Sequence, residues 1–206
     1  MKIHYRCPQC GQFNCICPIA QTDSPNPPVR LSAPCAPLGG ASVETGVIGT
    51  IDALIAPDAG LGANHALGAL ILTGNAKRTV REMAAYVLQQ GDRIGVFQMG
   101  ILSPVGATDA SVIAATNVAN AITAGLFKLP LSAPVTLQAD TTYYLAVYNQ
   151  VANSRIGGFM AGTTTVTATD APPINFRTQN LTGLNVGATI SLASTCLTLA
   201  PWLKAF

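Results

Sequence analysis

The sequence predicts an all-β fold, and two of its features carry that prediction. From residue 41 onward, short runs rich in Val, Ile, Leu, Thr and Tyr recur, and Gly, Asn, Asp or Pro separate them. Regular short runs with turn residues between them are typical of β sandwiches and β barrels. The length of 206 residues is enough for one well-buried sandwich with extra segments, so we expect a single β domain over residues 41–206.

The first 40 residues have a different composition. They contain five of the six cysteines and seven of the 14 prolines, and they show almost no hydrophobic periodicity. Proline fixes an extended backbone and removes a donor from a sheet ladder, so this composition disfavours a regular strand. We therefore predict an extended, irregular N-terminal arm, rich in cysteine and proline, over residues 1–40.

The cysteines leave three alternatives open: disulfides, a metal site and free thiols. Residues 7–11 read C-P-Q-C-G, which matches the knuckle that wraps a metal in zinc-ribbon and rubredoxin-like sites. The second half of such a site is poor, because the next pair of cysteines has only one residue between its members. We favour disulfides, although the sequence does not define their pairing. The metal alternative would use Cys7, Cys10, Cys15 and Cys17, and disulfides would use those four together with Cys35 and Cys196.

Within the β domain, the apolar runs define the predicted strands. Residues 79–88 also have some helix propensity, but we predict a strand there, and the alanine-rich residues 111–124 could form a turn of helix. We expect tight turns that use glycine at Gly74, at Gly91 and at Gly157-Gly158, because glycine readily adopts positive φ. The predicted strands are residues 45–55, 66–72, 79–88, 93–102, 112–118, 122–129, 135–137, 141–149, 155–160, 163–169, 188–193 and 195–199.

The clearest local pattern is at residues 131–148, L-S-A-P-V-T-L-Q-A-D-T-T-Y-Y-L-A-V-Y. A short alternating strand ends before Ala139-Asp140, and a second strand begins at Thr141. In the second strand one face carries Tyr143, Leu145 and Val147, and the other carries Thr142, Tyr144, Ala146 and Tyr148. The pattern predicts a strand, a tight turn and a strand that is buried on at least one side.

This hairpin resembles the penultimate hairpin of the jelly-roll modules of bacterial surface proteins and phage fibres, where P-V-x-L-x-A-x-T-x-Y-x-L-A precedes the closing strands. The resemblance covers roughly residues 79–159 and implies a jelly-roll β-sandwich. Such modules include both carbohydrate-binding domains and inert structural shells, so the resemblance does not choose between these functions. A sugar-binding member would need an aromatic platform, for which Tyr144 and Tyr148 are the candidate glycan contacts. The alternative is that both rings pack against a partner sheet.

An N-terminal cysteine-bearing arm followed by one jelly roll also resembles the subunits of bacterial endospore appendages. In that family the arm reaches into a neighbouring subunit and disulfides lock it there. The resemblance implies that Cys7, Cys10, Cys15 and Cys17 are arm cysteines and that Cys196 is the receiving cysteine of the body. This chain departs from the family in its longer arm and in the spacing of its arm cysteines.

Charge is sparse along the whole chain. Only 10% of the residues are charged, against a usual value of about 25%, and the mean hydropathy is +0.38. Mated subunit surfaces or an uncharged polar surface would both explain this composition. The 11 basic and nine acidic residues include no basic cluster beyond Lys77-Arg78 and Arg81, so we expect no nucleic-acid partner. No apolar run is long enough for a membrane span.

No catalytic pattern is present in the sequence. His4 and His65 have no recognisable acid–base partner, and there is no nucleophile elbow, H-E-x-x-H helix or glycine-rich phosphate loop. We therefore predict no enzyme and no cofactor. The first residues, M-K-I-H-Y-R, do not resemble a secretory signal, so we expect an extracellular, spore or virion surface to be reached by cell lysis.

Together these observations predict a structural subunit of an extracellular fibre or particle that assembles with itself through its N-terminal arm and disulfides. The alternative is a glycan- or receptor-binding module of a phage or cell-surface fibre. The expected partner is a further copy of this chain in the first case and a surface glycan in the second.

Overall fold

The computed structural model describes residues 48–50, 64–92, 94–160, 171–192, 194–195 and 199–206. Contacts within the chain separate residues 1–44 from residues 45–206, and every described residue belongs to the second unit. The predicted arm, its boundary near residue 40, all six cysteines and the predicted strand at residues 163–169 lie outside the described residues. These predictions stay predictions.

All regular structure in the described residues is β-strand, so the all-β prediction is confirmed. There is no helix in this part of the chain, and hence none long and apolar enough to cross a membrane. The strands are β1 (Ile48–Gly49), β2 (His65–Leu72), β3 (Arg78–Gln90), β4 (Phe97–Val105), β5 (Asp109–Ala115), β6 (Gly125–Leu137), β7 (Thr142–Asn149), β8 (Ser154–Ile156), β9 (Gly158–Met160), β10 (Asn175–Thr178), β11 (Thr189–Ser191), β12 (Ser194–Thr195), β13 (Leu199–Pro201) and β14 (Leu203–Ala205).

The strands form two large antiparallel sheets and one small one. The five-stranded sheet has the order β1-β14-β3-β6, with β8 also paired to β3. The seven-stranded sheet has the order β11-β5-β4-β7-β2-β10-β12, and β13 pairs with β9. Neighbours in space are often distant in sequence: β14, near residue 204, lies between β1 and β3.

The main hydrophobic core lies between the two large sheets. Residues of β3 and β14 that face inward, such as Met83 and Leu203, belong to one cluster with inward residues of β4 and β7, such as Met99 and Leu145. A second cluster lies on the other, outer face of the seven-stranded sheet, to which Phe176 of β10 and Ile190 of β11 belong and which Leu184, between those two strands, covers. The seven-stranded sheet is therefore buried on both faces.

The predicted division of faces in β7 is confirmed. Tyr143, Leu145 and Val147 belong to the core between the sheets, whereas Tyr144, Ala146 and Tyr148 belong to the second cluster. The tight turn before β7 is also present, and Asp140 has a φ of 48° there. The alternation of residues along this strand thus predicts on which side of the sheet each side chain lies.

Two predicted strands, at residues 122–129 and 135–137, overlap the single strand β6, which begins at Gly125, so residues 122–124 are not in a strand. The sequence argued against continuity because Pro130 and Pro134 cannot donate to a ladder. β6 pairs with a strand on one side only, β3, and an edge strand tolerates proline where its N–H would face away from the partner. The pairing with β3 shifts register between Val80 and Glu82.

The helical alternative for residues 111–124 is wrong. Residues up to Ala115 form β5, which pairs with β4 and β11, and the following residues form a loop. Long-range ladder partners outweigh the weak helix preference of alanine. For residues 79–88, the strand prediction is confirmed by β3.

Two strands were not predicted, and positive φ was expected at more glycines than have it. β10 and β14 are three or four residues long, too short for a periodic signal. Gly91 has the expected positive φ, 67°, but Gly74, Gly157 and Gly158 do not. Gly157 and Gly158 instead continue an extended path from β8 into β9.

Candidate functional site

The two candidate glycan contacts are both buried. Tyr144 and Tyr148 are 0% exposed, so neither ring presents a face on which a sugar could stack. The Tyr144 hydroxyl donates a hydrogen bond to the Pro173 carbonyl, and the Tyr148 hydroxyl donates to the Leu181 carbonyl at 2.8 Å. Burial raises the pKa of both hydroxyls, which keeps them neutral and able to donate. Both rings therefore pack within the fold, but against residues 173–192 of the chain and not against the facing sheet.

These hydrogen bonds attach a covering segment, residues 171–192, to the outer face of the seven-stranded sheet; the segment enters that sheet as β10, crosses its outer face and joins its other edge as β11. Gln98 on β4 adds a third attachment, because its Oε1 accepts a bond from the Leu184 N–H at 3.0 Å. The same side chain donates through Nε2 to the Thr116 carbonyl at 3.3 Å. Phe176 of β10 packs edge-on against Tyr144, with ring centroids 5.1 Å apart. This face is closed by the chain itself.

His65, the described histidine, lies at the start of β2 beside charged and polar neighbours. It pairs with Asn149 on β7, and desolvation, followed by the nearby charge of Arg177, lowers its pKa. Its Nδ1 is buried and accepts no hydrogen bond. The Asn149 side chain bonds instead to Val151 and Ser154. No carboxylate is placed to form an acid–base pair with His65 in the described residues.

A cleft of about 250 Å³ lies between the β3–β4 loop and the β5–β6 loop. Asp92 is the titratable residue of its lining, and the Asn153 amide donates to the Asp92 carboxylate at 3.1 Å. Nowhere in the described ranges do three His, Cys, Asp or Glu residues gather in a way that could hold a metal ion. The cleft lining is Gln90, Gly91, Asp92, Ala121, Ile122 and Thr123.

The outer face of the five-stranded sheet carries aromatic rings and cations. Lys128 of β6 lies 3.6 Å from the Glu82 carboxylate, and its ammonium lies 4.3 Å from the centre of the Phe206 ring. Trp202 is buried and packs edge-on against Tyr86, with centroids 6.3 Å apart. Sequence reasoning missed this group, because these residues meet only when β14 is inserted beside β3.

The free side of β6 is the candidate interface of the described chain. The two edges of the seven-stranded sheet are β11 and β12, of three and two residues, and the other edge of the five-stranded sheet is β1, of two residues. β6, by contrast, has 13 residues. Long edge strands are the places where sheets gain further strands.

Hydrogen bonds elsewhere in the sheet show which backbone groups of β6 face this free side. Glu82 exchanges both backbone bonds with Phe206, and the Tyr86 carbonyl accepts from the Gly157 N–H, so these β3 residues point away from β6. In an antiparallel pair, a residue and its opposite partner share one bonding state. The partners of Glu82, Ala84 and Tyr86 therefore point away from β3; they are Pro130, Lys128 and Leu126.

One contact confirms this direction. The Pro130 carbonyl accepts a hydrogen bond at 3.0 Å from the N–H of Asn117, which lies beside β6 on the side away from β3. An isolated bridge joins Thr116 to Leu131 at the same place. Toward the start of β6, the N–H and C=O of Leu126 have no hydrogen-bond partner among the described residues.

Large apolar side chains are exposed at both ends of the described body. Ile94 is 83% exposed and Leu72 is 67% exposed. Leu126, on the open edge, is 38% exposed. Single exposed apolar residues are ordinary, so of these three only Leu126, which lies on the long edge strand, bears on a possible interface.

The chain matches no protein-family model, no curated protein and no solved structure.

Proposed function

We propose that the chain is a structural subunit of an extracellular fibre or particle and that it assembles with itself. The observation that carries this proposal is the long edge strand β6, on which the Leu126 side chain is 38% exposed and its backbone N–H and C=O have no partner among the described residues. Every other described edge strand has two or three residues. A body that protects its short edges and leaves one long edge open is suited to addition of a strand from another chain.

The jelly-roll sandwich is part of the proposal. Its support is the strand order, in which β1-β14-β3-β6 faces β2-β7-β4-β5 across one core. Successive strands alternate between the two sheets in most of this arrangement, as double Greek keys do. Of the remaining strands, β10 to β12 extend the second sheet at its two edges, β8 pairs with β3, and β9 pairs with β13.

The joint between subunits is proposed to be the N-terminal arm, locked by disulfides that use the arm cysteines Cys7, Cys10, Cys15 and Cys17 and the body cysteine Cys196. A contact between one patch and a different patch repeats into a ring or an open helical fibre. A bridge of this kind would add about 2–4 kcal/mol to the stability of the joined subunits. An extracellular, spore or virion surface belongs to the same proposal.

Electron microscopy and gels of the purified full chain test the function. We expect rings or filaments, and non-reducing gels with ladders of bands that collapse to monomer with thiol. Removal of residues 1–20 should give dispersed monomers. The matched control keeps the arm and replaces its four N-terminal cysteines by serine, which should leave assembly intact but make it sensitive to denaturant.

The outcome that contradicts the proposal is a dispersed full-length protein, or a truncated protein that polymerises as well as the full chain. A dispersed protein that binds strongly on a glycan array would support the glycan- or receptor-binding module instead. Because Tyr144 and Tyr148 are buried, such binding would have to use other residues.

A further inference from the structure

We propose that the ladder between β2 and β10 is an acid-sensitive switch, in which protonation of His65 favours detachment of β10 from β2 and uncovers the aromatic layer at Tyr144. β10 is the strand by which the covering segment enters the seven-stranded sheet. The switch is a conformational change within one chain, so it does not depend on whether the chain assembles with itself.

The side chain of His65 is poorly placed to carry a charge. Its Nδ1 is buried and takes part in no hydrogen bond. A neutral imidazole can leave this nitrogen without a proton, but an imidazolium carries an N–H on both nitrogens. Protonation therefore leaves a buried, charged donor without an acceptor, and such a donor is costly. The folded chain favours the neutral ring at this position.

The described strands around His65 supply no acid that could compensate its charge. These strands are β7 and β10, which pair with β2, and β13, which packs against it. Asn149 of β7 lies opposite His65, but its amide group already bonds to Val151 and Ser154. None of the three strands contains a carboxylate, and β13 has no titratable side chain.

β10 instead brings a cation to the same face of the sheet. Arg177 pairs with the residue two positions after His65, so the two side chains are diagonal neighbours on one face. Among the tyrosines of β7, Tyr144 and Tyr148 lie on the other face, and Tyr143 lies at the far end of the ladder. Desolvation, followed by the charge of Arg177, lowers the pKa of His65.

Detachment of β10 would remove both costs. The ladder between β10 and β2 has four residue pairs, and Arg177 belongs to one of them. Separation of the two strands moves the guanidinium away from His65 and admits water to this end of β2. The open form then binds a proton more readily than the closed form. Acid therefore shifts the equilibrium toward the open form.

The structural consequence of opening is exposure of the outer aromatic layer. Phe176 of β10 packs edge-on against Tyr144, and the Tyr144 hydroxyl donates a hydrogen bond to the Pro173 carbonyl, just before β10. Both contacts are lost when β10 leaves the sheet. The open chain thus presents apolar surface that is buried in the closed chain.

The pH window of the switch follows from a single proton. Opening should increase as the pH falls below 6.5, the ordinary pKa of histidine, which the open form regains. The increase should be no steeper than about tenfold per pH unit, and it should level off below the pKa of the closed form. Between pH 7.5 and pH 5 we expect opening to increase about fivefold or more, as for one buried donor without a partner.

Hydrogen exchange of the full chain, with each rate divided by the intrinsic rate at the same pH, measures the opening. Peptides that contain residues 174–178 should show the increase, and peptides that contain residues 83–87 of β3, in the other large sheet, should not. His65→Gln is neutral at every pH and should remove the increase. His4→Gln is the matched control, because it removes the other histidine of the chain and should leave the increase unchanged.

A dye that binds exposed apolar surface gives a second readout. It should bind the wild-type chain at pH 5 and bind His65→Gln less. If His65→Gln does not fold, the wild-type exchange profile still decides, because an onset below pH 5 would assign the opening to carboxylates and overturn the inference. Equal opening at pH 7.5 and pH 5, an increase that persists in His65→Gln, or an equal increase at β3 also overturns it. None of these outcomes bears on assembly.

Discussion

The outer faces of the two large sheets differ in how they are completed. On the seven-stranded sheet the chain covers the face itself: residues 171–192 carry Phe176, Leu184 and Ile190 onto a layer that includes Tyr144 and Tyr148. On the five-stranded sheet the outer face carries the Lys128–Glu82 ion pair and ends at the open edge of β6. The outer face of the five-stranded sheet is also buried at Ala84, Trp202 and Lys204, so the two faces differ mainly at the β6 end, where the ion pair and Leu126 are partly exposed.

Polar groups are used differently on the two faces. On the covered face, Tyr144, Tyr148 and Gln98 bond to backbone groups of the covering segment, and burial makes each of these bonds costly to lose. On the other face, the ion pair of Lys128 and Glu82 is partly exposed, and such pairs contribute little. We therefore expect substitutions to have large effects on the first face and small effects at the ion pair of the second.

The largest effect is expected from Phe176→Ala. Phe176 is 0% exposed, and its ring packs against Tyr144. Loss of a buried phenylalanine leaves a cavity and should lower the free energy of unfolding by about 3–5 kcal/mol. Denaturant unfolding followed by circular dichroism measures this. A loss below about 1 kcal/mol, within the range of surface substitutions, would show that the covering segment is not part of the folded core.

The next effect tests how closely β10 packs beside β2. A Cβ added at Gly68 would collide with the Phe176 ring, so Gly68→Ala should cost about 1–3 kcal/mol through overpacking. Gly74→Ala is the matched control, because an added Cβ there meets nothing within 4 Å. Thermal unfolding of the two variants should separate them clearly. Equal melting temperatures would contradict the tight contact between β2 and β10.

We expect the free energy of unfolding to depend on pH through His65 at the start of β2. His65 lies near Arg177 of β10, and desolvation and that charge lower its pKa below the unfolded value of 6.5. The unfolded chain then binds more protons than the folded chain as the pH falls through 6.5, so stability should decrease toward acid. His65→Gln should reduce this slope between pH 7.5 and pH 5. An unchanged slope would assign the dependence to other groups.

The smallest effect is expected on the other outer face. Glu82→Gln and Lys128→Met each remove one member of the partly exposed ion pair, and a double-mutant cycle should give a coupling energy of about 0.2–1 kcal/mol. High salt should reduce it further. A coupling of several kcal/mol would mean that this face is as closed as the other, and the contrast between them would be lost.

The sequence by itself determined the strand character of the body and the facing of its side chains. In β7 the alternation of Tyr143 and Leu145 with Tyr144 and Ala146 is local, and the pleat of any strand turns such a pattern into two faces. The turn residue Gly91 was predicted for the same reason, since positive φ is a property of one residue. The continuity of β6 across Pro130 and Pro134 was not predicted, because it depends on the strand being at an edge.

Only the tertiary structure decided what covers each face and which edge is open. The burial of Tyr144 and Tyr148 depends on residues about 30 positions away in the chain, which no local pattern links to them. The outward direction of the Leu126 amide depends on the register of β6 against β3 and on the bonds of β3 to β14. A shift of one residue would turn that amide inward, because backbone groups alternate along a strand, and sequence periodicity records side-chain faces but not ladder partners.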